Sequence, residues 1–133
     1  MKVPEHYESD LLFFFDGKPD ALALYRALEA GLGRVAAEAS VKVQKSQISF
    51  YCGGLFAMAS LPRRKGEPGL VVSFGLGRRE PSPRVGVAVE PYPGRWTHHV
   101  TVAREDEVDG ELLGWLREAR DFCAAKGRGR RKP

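Results

Sequence analysis

Functional residue types are densest in the run Glu90-Pro91-Tyr92-Pro93-Gly94-Arg95-Trp96-Thr97-His98-His99-Val100-Thr101-Val102. Histidine titrates near neutral pH and serves as proton carrier, metal ligand or anion contact. Successive residues of a strand face opposite ways, so His98 groups with Val100 and Val102, and His99 with Thr101. That grouping makes His98 a buried, hydrogen-bonded histidine and puts His99 on the polar face, where it can contact a ligand. It also denies the pair to a single metal ion, and spacing brings neither Cys52 nor Asp109 near as a third ligand. No metal and no cofactor is expected. Trp96 and Tyr92 flank Arg95, a mixture that can stack on a base or pack on a partner. Tryptophan is usually well buried, so Trp96 is expected to plug the end of the core.

Lys45, Gln47, Ser49 and Tyr51 alternate with apolar residues and form a second polar set on one strand face, which Ser73 and Ser60 can join from neighbouring strands. Such a stripe is either a face left to water or the floor of a shallow pocket. The apolar parity reverses between Val43 and Ile48, which a regular strand does not allow. A bulge or bend is therefore expected near Lys45 and Ser46, re-aiming Lys45 as the first anion contact. Arg63-Arg64-Lys65 and Arg78-Arg79 occupy successive loops, with Arg84 close behind. Loops separated by one strand lie at its opposite ends, so these cations need not form one patch. Gly75-Leu76-Gly77 has no third glycine and no helix after it, so the dinucleotide fingerprint is absent. The phosphate-loop, zinc-protease and serine-hydrolase motifs are absent too, and no nucleophile–base pair is evident.

These residues need a sheet to hold them. Residues 10–15 are a short apolar segment closed by Asp16-Gly17-Lys18-Pro19. Pro19 opens a helix whose Leu22, Leu24, Tyr25, Leu28 and Leu32 recur at helical spacing. From Ser40 the period becomes two, with strands expected over residues 40–52, 55–61, 70–76, 84–90 and 96–103, and a hairpin at Gly53-Gly54. An acidic helix start at residues 105–109 suits the helix dipole, and Leu112, Leu113, Leu116, Ala119 and Phe122 mark a second amphipathic helix. The fold class is α+β: a curved, mainly antiparallel sheet of four to six strands, with an N-terminal and a C-terminal helix packed on one face.

The chain of 133 residues, 43% hydrophobic and 29% charged, reads as one globular domain over residues 1–125. The Gly- and Arg-rich residues 126–133 are expected to be a disordered basic tail. No apolar run approaches the roughly 20 residues needed to cross a membrane, and the first residues are too polar for a secretory signal. Cys52 and Cys123 read as reduced thiols of a cytoplasmic protein. Charge is segregated: residues 40–104 carry ten basic and three acidic groups, residues 1–39 four and seven, residues 105–125 two and seven, and the tail five and none. A segregated field bears on partners rather than on fold.

The stretches at residues 15–25, Val43-Gln44-Lys45-Ser46-Gln47-Ile48-Ser49-Phe50 and Pro91 to His99 resemble an uncharacterised bacterial family. That family is catalogued as a domain of unknown function, and some relatives are labelled predicted transport proteins. The resemblance covers about residues 10–123, implies a small cytoplasmic α+β domain, and brings no activity, cofactor or catalytic residue. The leading expectation is a non-enzymatic binding domain. It would present Lys45, Gln47, Ser49, Arg64, Arg78, Arg79, Trp96, His98 and His99 to an anionic small molecule or an acidic protein surface. Alternatives are nucleic-acid binding through the tail, and a small enzyme needing His99 and Lys45 within reach of one pocket. A structural reading, in which the basic sheet pairs with the acidic helices of its own chain or of a homodimer partner, stands beside them.

Overall fold

The computed structural model describes residues 1–130, with side chains through Lys126. Its elements are α1 (Tyr7–Phe14), α2 (Pro19–Val35), β1 (Ser40–Val43), β2 (Ile48–Tyr51), β3 (Leu55–Ser60), β4 (Leu70–Leu76), β5 (Val87–Tyr92), β6 (Arg95–Val102) and α3 (Gly110–Arg130). A short 3-10 turn, Glu105–Glu107, precedes α3. The fold is α+β with a curved, unclosed sheet, as the residue pattern requires. The apolar segment at residues 10–15 belongs to a third helix, α1, and Gly17, at φ +69, carries the chain out of the turn that follows it. At the other end, α3 continues to Arg130, so its last residues come from the segment expected to be a disordered tail. The side chains of residues 127–130 and all of residues 131–133 lie outside the described residues.

The six strands are ordered β1-β2-β3-β4-β6-β5, and every neighbouring pair is antiparallel. The chain thus departs from a simple meander after β4. β4 and β5 are parallel, so residues 77–86 run back over the covered face of β6, past His98, to the sheet edge, and β6 returns through the tight turn at Pro93-Gly94 to lie between β4 and β5. The parity reversal between Val43 and Ile48 is not a bulge within one strand. It is a hairpin: Val43 pairs with Ile48, and the Gln44 N–H bonds the Gln47 carbonyl at 2.8 Å. Residues paired across a hairpin share a face, so the reversal is a turn's signature. The bulge lies later, between Phe50 and Tyr51.

All three helices cover one face. Val41, Ile48, Phe50, Ala57, Ala59, Leu70, Val72, Phe74, Val100 and Val102 are buried beneath them with Leu11, Tyr25, Leu28, Leu32, Leu112 and Leu116. Tyr25 of α2 stacks on Phe50, and Trp115 of α3 stacks on Phe74 with ring centroids 5.8 Å apart. Asp109 caps α3 by accepting the Leu112 N–H at 3.0 Å. One polar node clips α1 to α2. Tyr7 donates to Glu29 at 2.5 Å and meets the Tyr25 hydroxyl at 2.7 Å, while Arg26 bonds both Glu8 and Glu29. Burial pushes both phenols well above their usual range, so the node is held by neutral hydroxyls.

Burial sets the expected costs of truncation. Leu28 is fully buried between α2 and the sheet, whereas Leu12 is 60% exposed on α1. Leu28→Ala should lower unfolding free energy by about 2–5 kcal/mol in urea titrations. Leu12→Ala should stay within about 0.5 kcal/mol of the parent chain.

Candidate functional site

Strand register assembles an unbroken cross-strand row on the face that the helices leave open. Lys42 pairs with Ser49, Ser49 with Met58, Met58 with Ser73, Ser73 with His99 and His99 with Val87. Ser49 and Ser73 are buried although no helix covers them, because larger neighbours overtop their short side chains. Ser73 Oγ lies 2.7 Å from His99 Nδ1. When the serine donates, the neutral imidazole carries its proton on Nε2, away from that bond. Burial lowers the His99 pKa below its usual value, and the Arg63 guanidinium lowers it further.

Two guanidiniums flank this pair. Arg63, on the β3–β4 loop, is within electrostatic reach of His99. Arg95 shares the face of Thr97 and His99, and its guanidinium lies against Gly75, where a Cβ would stand 2.6 Å from Cζ. Gly75 pairs with Thr97, two residues along from the Ser73–His99 pair, or roughly 7 Å. At the far end of the row, Gln44, Gln47 and Ser49 form a closed polar knot. Ser49 donates to Gln44 Oε1 at 2.6 Å, and Gln47 Nε2 donates to Ser49 at 2.9 Å and to Gln44 Oε1 at 3.4 Å. Among the described residues the only acid in any strand is Glu90, and its carboxylate accepts the Gly94 N–H of its own hairpin.

The expected site residues divide between the two faces. Gln47, Ser49 and His99 come together on the open face. Lys45 does not join them: it sits in the β1–β2 turn and lines a groove with Asp10, Phe13 and Phe14 of α1. Lys45 and His99 are thus held by different elements, the β1–β2 turn and β6, with β2 and β6 three strand spacings or roughly 14 Å apart, and no hydrogen bond joins them among the described residues. Arg64 lines a separate cleft of about 390 Å³ between the β3–β4 loop and the start of α2.

Arg78, Arg79, Trp96 and His98 belong to the covered side. Arg78 makes a two-pronged contact with Glu118 of α3, 2.9 Å on each prong, and also bonds Glu80. Arg84 is held the same way by Asp109 and Glu111, and it lies over the Trp115 ring. Trp96 is half-buried, with Arg79 5.7 Å above its ring. It is not among the residues of the core or those packed against it, and its ring is engaged by Arg79 rather than plugging the end of the core.

His98 is fully buried and stacks on Phe74 at 5.2 Å. Its Nε2 accepts the Glu80 N–H at 2.9 Å, which places the proton of the neutral ring on Nδ1. Nδ1 has no hydrogen-bond partner among the described residues. Desolvation lowers the His98 pKa, aided by Arg78, while the Phe74 and Trp96 carbonyls and Glu80 oppose the shift.

Sequence reasoning missed Arg63 and Arg95 as site residues and placed Ser73 only as a neighbour of the stripe. Arg95 was open to discovery, because residues 95, 97 and 99 alternate onto one face. Ser73 needed the β4–β6 pairing, which the crossover hides.

A folded-state pKa below that of the unfolded chain means that the unfolded state binds more protons as pH falls. The stabilisation from His98 and His99 is therefore complete above the ordinary value of 6.5 and is withdrawn as pH drops through their lowered values. Urea midpoints should fall between about pH 7.5 and 5.5, and by less in His98→Gln. Equal midpoints in the parent chain across that window would contradict the assignment.

Over residues 13–122 the chain matches a family model described as "Domain of unknown function (DUF5655)". No curated protein and no solved structure matches it. Among the described residues no group of three or more His, Cys, Asp or Glu is placed to hold a metal ion, and no helix is long and apolar enough to cross a membrane.

Proposed function

We propose, for a chain that belongs to the DUF5655 family of domains of unknown function, that the open sheet face binds an anionic small molecule without transforming it. One observation carries this reading. The Ser73–His99 pair stands between Arg63 and Arg95 on a face to which no strand turns a carboxylate, whereas Arg78 and Arg84 are engaged by acids of their own chain. Guanidinium and imidazole N–H groups are the donors that bind oxyanions by charge-assisted hydrogen bonds. Ser73 is buried and lacks an activating acid behind His99, so the pair orients a donor rather than forming a nucleophile.

The ligand contacts are Arg63, Arg95 and His99, whose ring Ser73 orients, with Gln47, held by Ser49, along the row. A cytoplasmic setting, read from two thiols, accords with this role. Nucleic-acid binding would rest on the basic end of the chain, of which residues 131–133 lie outside the described region.

The test is a titration of the isotope-labelled chain with inorganic phosphate at low ionic strength, followed by amide shifts. Shifts should centre on Ser73, Thr97 and His99, and Arg95→Met should weaken binding about tenfold or more. Arg78→Met should leave the affinity unchanged. Absence of shifts on the open face, or equal affinity in Arg95→Met, would overturn the proposal.

A further inference from the structure

The same row that holds the anion contacts also has a neutral polar end, and the two ends together specify a ligand class. We infer that the open face recognises a sugar phosphate: phosphate at His99, oriented by Ser73, and at Arg63 and Arg95, carbon body over Met58, and hydroxyls at Gln44 and Gln47. This inference rests on the anion-binding reading above and adds the identity of the rest of the molecule.

The bonds of the polar knot fix its free valences. Both protons of Gln47 Nε2 are spent, one on Ser49 Oγ and one on Gln44 Oε1. Gln44 Oε1 accepts from Gln47 and from the Ser49 hydroxyl. What remains is Gln47 Oε1, an acceptor, and Gln44 Nε2, a donor, neither with a partner among the described residues. A hydroxyl both donates and accepts, so a polyol can satisfy one acceptor and one donor of the same knot.

The spacing agrees. Ser49 and Ser73 lie in the same row on strands separated only by β3, so the two ends stand about 10 Å apart. A phosphorylated pentose or hexose spans that gap. Between the ends lies Met58, half-buried in mid-row, an unbranched side chain that packs against the carbon face of a sugar ring. The row of Lys42, Ser49, Met58, Ser73, His99 and Val87 holds no aromatic side chain other than the imidazole engaged by Ser73. A base stacked within that row would meet no ring; the neighbouring ring on this face, Tyr51, stands two residues along β2 from Ser49, off the line between the two ends.

Calorimetric titration with glucose 6-phosphate, fructose 6-phosphate, ribose 5-phosphate, glucose and inorganic phosphate separates the two claims. At least one sugar phosphate should bind about tenfold tighter than inorganic phosphate, the worth of one or two added hydrogen bonds. Gln47→Ala should erase that advantage and leave inorganic phosphate unaffected, while Arg95→Met should weaken both. Amide spectra of each variant confirm that it is folded. If inorganic phosphate binds but no sugar phosphate exceeds it, or if Gln47→Ala preserves the advantage, the sugar-phosphate assignment is wrong and the anion site stands. If inorganic phosphate itself fails to bind the folded parent chain, both readings fall.

Discussion

Every helix of this chain packs on the same face of one six-stranded sheet, and the rest of the structure answers to that asymmetry. A sheet covered on one side must satisfy its other face with its own side chains or with water. Here the open face does both. Small serines settle at the floor, each bonded to a larger neighbour, and the long polar groups stand above them. The Ser73–His99 bond and the knot of Gln44, Gln47 and Ser49 are two local solutions to one problem: placing hydroxyls in the middle of a sheet without stranding them.

The crossover between β4 and β5 sets a second demand. Inserting β6 next to β4 requires residues 77–86 to run back over the covered face of β6, and that segment is tied down at several points. His98 accepts the Glu80 N–H, Gly86 donates to the His99 carbonyl at 3.0 Å, and α3 holds Arg78 and Arg84 through its acidic groups. Part of the charge segregation is therefore internal, with Arg78 meeting Glu118 within α3 and Arg84 meeting Asp109 and Glu111 at its start. Exposed ion pairs contribute little each, so their value lies in fixing where the loop runs rather than in total stability. His98 belongs to this machinery. Its buried ring gives its one acceptor to the crossover, and so it does not act as a ligand contact.

Local rules read well wherever the chain obeyed them. The helix at α2, the strand at β4 and the alternation that buries His98 and exposes His99 all follow from periodicity. The break at Lys45 and Ser46 was legible as a bulge or bend, because both devices reverse apolar parity; only the pairing of Val43 with Ile48 shows that the bend is a hairpin. The helix α1 gave no periodic signal, since Leu12 and Phe13 face outward on a helix of eight residues. Site membership was harder still. Arg78 looked available because its partner, Glu118, lies 40 positions away, and no local pattern encodes that contact. Ser73 and His99 stand 26 positions apart and meet only because β6 lies beside β4. Side-chain direction was legible in the sequence, while strand order, which decides who meets whom, was not.

The packing of the Arg95 guanidinium on Gly75 couples two positions. A methyl group at residue 75 would stand 2.6 Å from that guanidinium, a flexible side-chain end that can move aside. Alanine there would therefore displace the arginine and spare the fold. Substitutions at positions 75 and 95 should therefore be non-additive: a side chain at 75 costs least where the long cation at 95 is already gone. A glycine in mid-strand, ordinarily a mark of weak pairing, here leaves the room in which its neighbour's guanidinium lies.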